Sequence, residues 1–152
     1  MRKISSFIYL SFLVLILLVS CMKPSSDWVK YYDDNDGNIF SYRKEIIEKD
    51  RERYIVQIWV KEVFSNKYKE KIIQYRANLG MSAEGYDKLS YENDLYEIDC
   101  TKQGLRLLST SEYDTNNNIL SSAGMEASKD WWRHISHDSK EEILLKKVCP
   151  NQ

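Results

Sequence analysis

Hydrophobic and polar positions change period several times along the chain, and each change predicts an element. In ERYIVQIWVKEVF, Glu52 to Phe64, the residues Tyr54, Val56, Ile58 and Val60 share one parity. Ile55, Gln57, Trp59 and Lys61 take the other, which is half polar. Alternation of this kind predicts a strand in an antiparallel sheet with one covered side. The period then lengthens. In NKYKEKIIQYRANLG, Tyr68, Ile72, Tyr75 and Leu79 fall on one helical stripe, with Asn66 placed to cap the start and Gly80 the end. DWVKYY (Asp27 to Tyr32), NIFSYR, DLYEIDC (Asp94 to Cys100), GLRLLSTSEYD (Gly104 to Asp114) and ILSSA read as further strands. The turns between them are DDNDG and TNNN, the first supplying the Asp-Gly step that hairpins favour. The closing SKEEILLKKVCP carries Ser139 and Glu142 in capping-box spacing, an apolar stripe of Leu144, Leu145 and Val148, and Pro150 as a stop. The expected fold is α+β: an antiparallel sheet of five to six strands with a helix inserted between strands and a C-terminal helix.

The first residues have a different character. Arg2 and Lys3 precede an almost wholly apolar run from Phe7 to Val19, the layout of a secretory signal and short for a membrane span, which needs about 20 apolar residues. The junction LVSC, Leu18 to Cys21, resembles the bacterial lipobox. In signals of that kind the thiol of Cys21 receives a diacylglycerol, the chain is cut before it, and the new amine takes an acyl chain such as palmitate. Each buried CH₂ contributes roughly 0.8 kcal/mol, so several chains anchor stably where one does not. An ordinary cleaved signal or a plain membrane helix is the alternative. By analogy with enteric sorting rules, Met22 in place of Asp implies transfer to the outer membrane rather than retention at the inner one. Residues 1–20 are thus expected to be a lipoprotein signal peptide, 21–27 a lipidated tether, and 28–152 one domain.

Removing residues 1–20 leaves 20 basic against 23 acidic residues, a net charge of −3. That balance implies no nucleic-acid partner. Eleven Tyr and four Trp fit a strand-rich fold. If Cys21 carries lipid, Cys100 and Cys149 remain as a pair in an oxidising compartment, where a disulfide is expected. Two free thiols or a metal site are the alternatives, and for metal only His134 and His137 are available to assist, in no zinc spacing. Cys100 shares parity with Tyr96 and Ile98, and Cys149 stands one turn beyond Leu145, so both sulfurs are expected in one buried interface. Closing a loop of roughly 49 residues contributes on the order of 4 kcal/mol in the chain-entropy view.

Little points to catalysis. His134 and His137 have no motif around them and are expected in a loop entering the last helix; no nucleophile elbow or glycine-rich phosphate loop occurs. DDNDG fails as a calcium loop, because Tyr32 and Arg43 occupy the end positions that need ligating oxygens. No enzyme, cofactor or metal is expected. The candidate contact residues are the basic helix positions Lys67, Lys69, Lys71 and Arg76, which otherwise form a solvated face, and the aromatic pair Trp131 and Trp132, at least one of which is expected in the core.

IVQIWVKEVFS, LYEIDC followed by LRLLSTSEYD, and WWRHISHDSKEEILLKKVC together resemble the surface-adhesin protein E family of bacterial lipoproteins. KIIQYRANLG resembles a helical insert of one branch. The resemblance covers most of residues 28–149, with His137 where Pro is common and Asn117 where the turn usually has Gly. It implies a curved sheet with a disulfide-tethered C-terminal helix on its concave face. It also implies an outer-membrane lipoprotein that binds host matrix or serum proteins such as laminin, vitronectin and plasminogen. A periplasm-facing lipoprotein serving envelope structure is the alternative function, and an exposed sheet edge favours a homodimer.

Overall fold

One antiparallel sheet organises the chain. The computed structural model describes residues 28–43, 47–50, 54–125 and 131–149. The expected signal, the tether with Cys21, Asp27, the 52–53 start of the long strand and Pro150 lie outside the described residues. The elements run β1 (Trp28–Asp33), β2 (Ile39–Arg43), β3 (Ile47–Asp50), β4 (Ile55–Val63), α1 (Asn66–Asn78), a 3₁₀ turn (Tyr86–Lys88), β5 (Leu89–Asp99), β6 (Gly104–Asp114), β7 (Ile119–Gly124), β8 (Arg133–His134) and α2 (Lys140–Val148). Spatial order is β1-β2-β4-β5-β6-β7, with β3 beside β4 and β8 beside β6. The fold is the expected α+β class, an open antiparallel sheet with a C-terminal helix. The short strands β3 and β8 add to it; β8 includes His134, which the sequence placed in a loop.

The hairpin turns at β1–β2 and β6–β7 have the same construction. Asp34 Oδ1 accepts from the backbone N–H groups of Asp36 and Asn38, and Asp34 Oδ2 from the Asn38 amide. Asp114 repeats this with Asn116 and Asn118. Gly37 and Asn117 hold the left-handed position at φ 85° and 65°, the conformation that Gly and Asn accept at least cost. These carboxylates are occupied by their own turns.

Parity then decides what the sheet buries. Val56, Ile58 and Val60 of β4 and Ile98 of β5 pack with Leu105, Leu144, Leu145 and Val148. Cys100 and Cys149 form a disulfide inside this cluster, with Cα atoms 5.7 Å apart. Ser139 caps α2, its Oγ accepting from Glu142 N, while Glu142 Oε2 accepts from Asp138 N.

A second cluster joins Phe64, Tyr86 and Leu89 with Tyr68, Ile72, Ile73 and Leu120. Phe64 continues the parity of Val56, Ile58 and Val60. Tyr86 donates to Glu112, whose register partners place it on that face (below). Both helices therefore lie over the same side of the sheet, α2 at the disulfide end and α1 at the other.

Three expectations need correction. Ser65, not Asn66, caps α1, its Oγ accepting from Tyr68 N. Tyr75 and Leu79 are 63 % and 56 % exposed: α1 packs through its first two turns, with Ile73 inside, and its last turn leaves the sheet. Tyr54 has φ 54° and is exposed, so it turns out of the apolar face that Val56 begins.

Candidate functional site

The expected contact residues do not form one free patch. Lys67 Nζ and Lys71 Nζ both bind Asp36 in the β1–β2 turn, at 2.7 and 2.5 Å, and these hydrogen bonds hold the Asp36 carboxyl below the usual range. Arg76 lies over the Tyr86 ring at 4.0 Å and donates to Ser82 O. Half the helix's basic surface thus fastens α1 to a turn. Lys69 is half-buried. Trp131 is 53 % exposed, whereas Trp132 is half-buried and lies over the Arg106 guanidinium at 4.6 Å, on the far side of the sheet from α2.

The structure assembles a different site between the helices. Register pairs Glu62 of β4 with Glu92 of β5, and Glu92 with Glu112 of β6. Three glutamates therefore stand side by side across the three central strands, and Asp94 follows on the same face, opposite Val60. Side chains directly opposite lie about 5 Å apart at Cβ, and like charges there repel. Tyrosines surround the row. Tyr86 donates to Glu112 at 2.5 Å, and Tyr96 donates to Asp94 Oδ2 at 2.8 Å. Tyr68 of α1 feels Glu62, Glu92 and Glu112, and Tyr31 of β1 feels Glu141, Glu62 and Asp94.

Charge compensation is sparse. Glu62 accepts from the Asn38 amide at 3.0 Å and has Lys140 Nζ at 3.9 Å. Burial, opposed by Lys140, pushes the Glu62 carboxyl up to about 7. Burial and then the charge of Asp94 push Glu92 up to about 8. Burial also raises Tyr96 and Tyr31, so these phenols stay protonated donors.

Glu62 and Glu92 have folded values above the ordinary carboxylate value, so their contribution is complete below about pH 4.5 and is lost as pH rises through about 7 and about 8. Asp36, Asp114 and Glu142 are lowered instead, by hydrogen bonds from Lys67, Asn118 and Lys146, and favour the fold above the ordinary value. The melting temperature is expected to peak near pH 5 and to fall several degrees by pH 9. The loss is on the order of 1–2 kcal/mol after allowance for solvent screening at the partly open cleft. Glu92→Gln is expected to flatten the alkaline limb, and an unchanged limb contradicts the assignment.

The glutamate row escaped the sequence reading. Glu92 and Asp94 stand two apart, the strand signal for a shared face, but a strand begun at Asp94 omits Glu92. Glu112 was illegible for another reason: β6 bulges at Leu108, since Tyr96 pairs Leu107 while Leu95 pairs Ser109. The bulge reverses parity, so Leu105 and Glu112 meet on one face.

His137, Asp138 and Glu142 bring ligand atoms within 4.8 Å of one another at the start of α2. Glu142 is already engaged by Asp138 N and Lys146, and both His137 and Asp138 are exposed. No described helix is long and apolar enough to cross a membrane.

Comparison with curated proteins and with solved structures gave no match. Comparison with protein families gave one: the model described as surface-adhesin protein E matches residues 28–150. That span takes in every described strand and both helices, and the chain belongs to the surface-adhesin protein E family.

Proposed function

We propose that the chain is a non-catalytic adhesin, anchored to the bacterial outer membrane by lipid on Cys21 and presenting its domain to host or extracellular proteins. The family match over residues 28–150 carries this reading. The Cys100–Cys149 disulfide supports it, because such bonds persist in oxidising compartments outside the cytosol. With those two sulfurs joined, Cys21 is the one cysteine left for acylation.

The contact surface we favour is the exposed C-terminal end of α1, with the exposed Trp131 next to β8 as a separate contact point. Tyr75, Leu79 and Met81 are exposed large side chains at and just beyond the end of the helix, and the half-buried Lys69 lies nearly two turns before Tyr75. Aromatic anchors with basic neighbours suit protein contacts. Lys67, Lys71, Arg76 and Trp132 act indirectly in this reading, by fixing the helix and the sheet beneath.

Protease shaving of intact cells, paired with capture on immobilised matrix and serum proteins, tests this. The expected result is loss of the domain from the cell surface and saturable capture that Tyr75→Ala with Leu79→Ala reduces about tenfold. Cys21→Ala is expected to leave the membrane fraction while staying folded. A domain that surface protease cannot reach, recovered with periplasmic components instead, overturns the adhesin reading in favour of an envelope-structure role.

A further inference from the structure

The sheet face opposite the helices is closed only at the disulfide end, where Trp132 lies over Arg106 and its partner Glu97. Beyond that corner the strand register lays out three rows. In the first, Trp59 of β4 stands opposite Leu95 of β5, and Trp28 of β1 opposite Arg43, whose guanidinium lies 5.7 Å from the Trp28 ring centre. Two residues along, Lys30 pairs Ser41, Ser41 pairs Lys61, and Lys61 pairs Asn93. Two further, Ile39 pairs Val63, Val63 pairs Tyr91, Tyr91 pairs Tyr113, and Tyr113 pairs Ile119. An apolar and aromatic row therefore crosses five neighbouring strands, about 19 Å at the usual strand spacing. Ile39, Val63 and Ile119 are exposed, the last at 61 %. Tyr91 and Tyr113 stack at 4.7 Å, and Lys61 Nζ lies 3.7 Å from the Tyr91 ring centre.

A contiguous exposed apolar row marks a contact surface, and two observations select the partner. The first is charge. Lys30, Arg43 and Lys61 stand on these rows against one carboxylate, Asp33, which Lys30 binds at 2.7 Å. The row of Glu62, Glu92 and Glu112 lies on the other face, so an anionic surface approaching from this side meets cations first. Aromatic rings beside Lys and Arg suit the boundary of a bilayer, where the rings sit at headgroup level and the cations reach phosphate. The second is the chain that leads into the sheet. Trp28, in the first row, stands seven residues beyond Cys21, at most about 25 Å of extended chain. A domain anchored at Cys21 is thus held within reach of lipid headgroups by the strand that opens this face.

We propose that the helix-free face of the sheet docks on the anionic phospholipid surface of the membrane that holds the chain, with Lys30, Arg43 and Lys61 meeting headgroups and the row from Ile39 to Ile119 entering the interfacial layer. The tether argument rests on the Cys21 anchor proposed above, whereas the charge and apolar pattern does not. In this orientation α1 lies across the sheet from the lipid, which leaves Tyr75 and Leu79 accessible to a partner.

Hydroxyl-radical footprinting of the protein extracted from membranes tests it, on vesicles of phosphatidylcholine alone and of phosphatidylcholine with phosphatidylglycerol. On the anionic vesicles, oxidation of Trp28, Tyr91, Tyr113 and Ile119 is expected to slow at least threefold, while Tyr75 and Leu79 react as they do on neutral vesicles. High salt is expected to lift the protection. Lys30→Glu with Lys61→Glu is expected to abolish it, and Ile119→Asp, at an exposed position, to weaken it severalfold should the double variant not fold. Flotation reads the anchor separately. A chain that floats on both kinds of vesicle keeps the anchor, and the footprint then decides the face. A chain that floats only with phosphatidylglycerol keeps the face and loses the anchor; one that floats with neither loses both. Equal footprints on the two vesicles, or protection of Tyr75 and Leu79 instead, overturn the proposal. Protection of this face that appears without vesicles as protein concentration rises assigns it to a second copy and overturns it as well.

Discussion

Cys149→Ser is expected to lower the melting temperature in oxidising buffer by about 10–15 °C, corresponding to roughly 4 kcal/mol in a domain of this size. The disulfide spans 49 residues of sequence, so the variant's unfolded chain regains a large loop's freedom. A packing effect adds to the entropic one. Helix α2 has nine residues, too few for a stable helix in isolation, and stays in place through Leu144, Leu145, Val148 and the clasp. Both sulfurs are nearly inaccessible, at 2 % and 3 % exposure, so a serine hydroxyl at Cys149 enters an apolar cluster. Hydrogen exchange is expected to quicken in α2 before it does in β4 and β5. A melting temperature equal to that of the wild type, or one that reduction of the wild type leaves unchanged, contradicts the clasp's role.

Arg106→Met is expected to cost about 3 kcal/mol, because it withdraws the cation beside a fully buried carboxylate. Glu97 is 0 % exposed on the face opposite α2, and it accepts from Gln57 Nε2 at 2.9 Å and from Arg106 Nε at 2.7 Å. Arg106 Nη2 makes a second contact with the same oxygen. Trp132 covers the guanidinium, and Gly104 makes room for the indole: a Cβ there would come within 3.2 Å of the ring. Losing both partners is milder than losing one, so Glu97→Leu with Arg106→Met is expected to recover most of the deficit. Urea denaturation with matched m-values reads the difference. A single variant within about 0.5 kcal/mol of the wild type, the range of ordinary surface changes, contradicts this account of the Glu97–Arg106 pair.

Much of this architecture was legible. Val56, Ile58 and Val60 announced a covered strand face, Ser139 with Glu142 announced the start of α2, and parity alone aimed Cys100 and Cys149 at one another. These signals are local or follow a single period, and nothing downstream shifts them. What was hidden depends on the partner strand. The bulge at Leu108 resets β6, so no count along the sequence brings Glu112 beside Glu92. Helix α1 was legible as a helix but not in its packing. Tyr75 and Leu79 lie on the same stripe as Tyr68 and Ile72, yet they stand exposed while the other two pack on the second cluster. The basic residues were visible as a charged face, whereas their shared counter-ion, Asp36, sits in a hairpin far away in sequence.

The family, the disulfide and the sheet leave one claim on which the proposed location and function both depend: three cysteines serve two purposes, an anchor and a clasp. Non-reducing mass spectrometry of the chain extracted from membranes tests it directly. The predicted result is an N-terminal peptide beginning at Cys21 and carrying diacylglycerol and acyl masses, together with a cross-linked peptide pair joining Cys100 to Cys149. An unmodified Cys21 within an uncut N-terminus, or Cys100 and Cys149 recovered as free thiols, would contradict it.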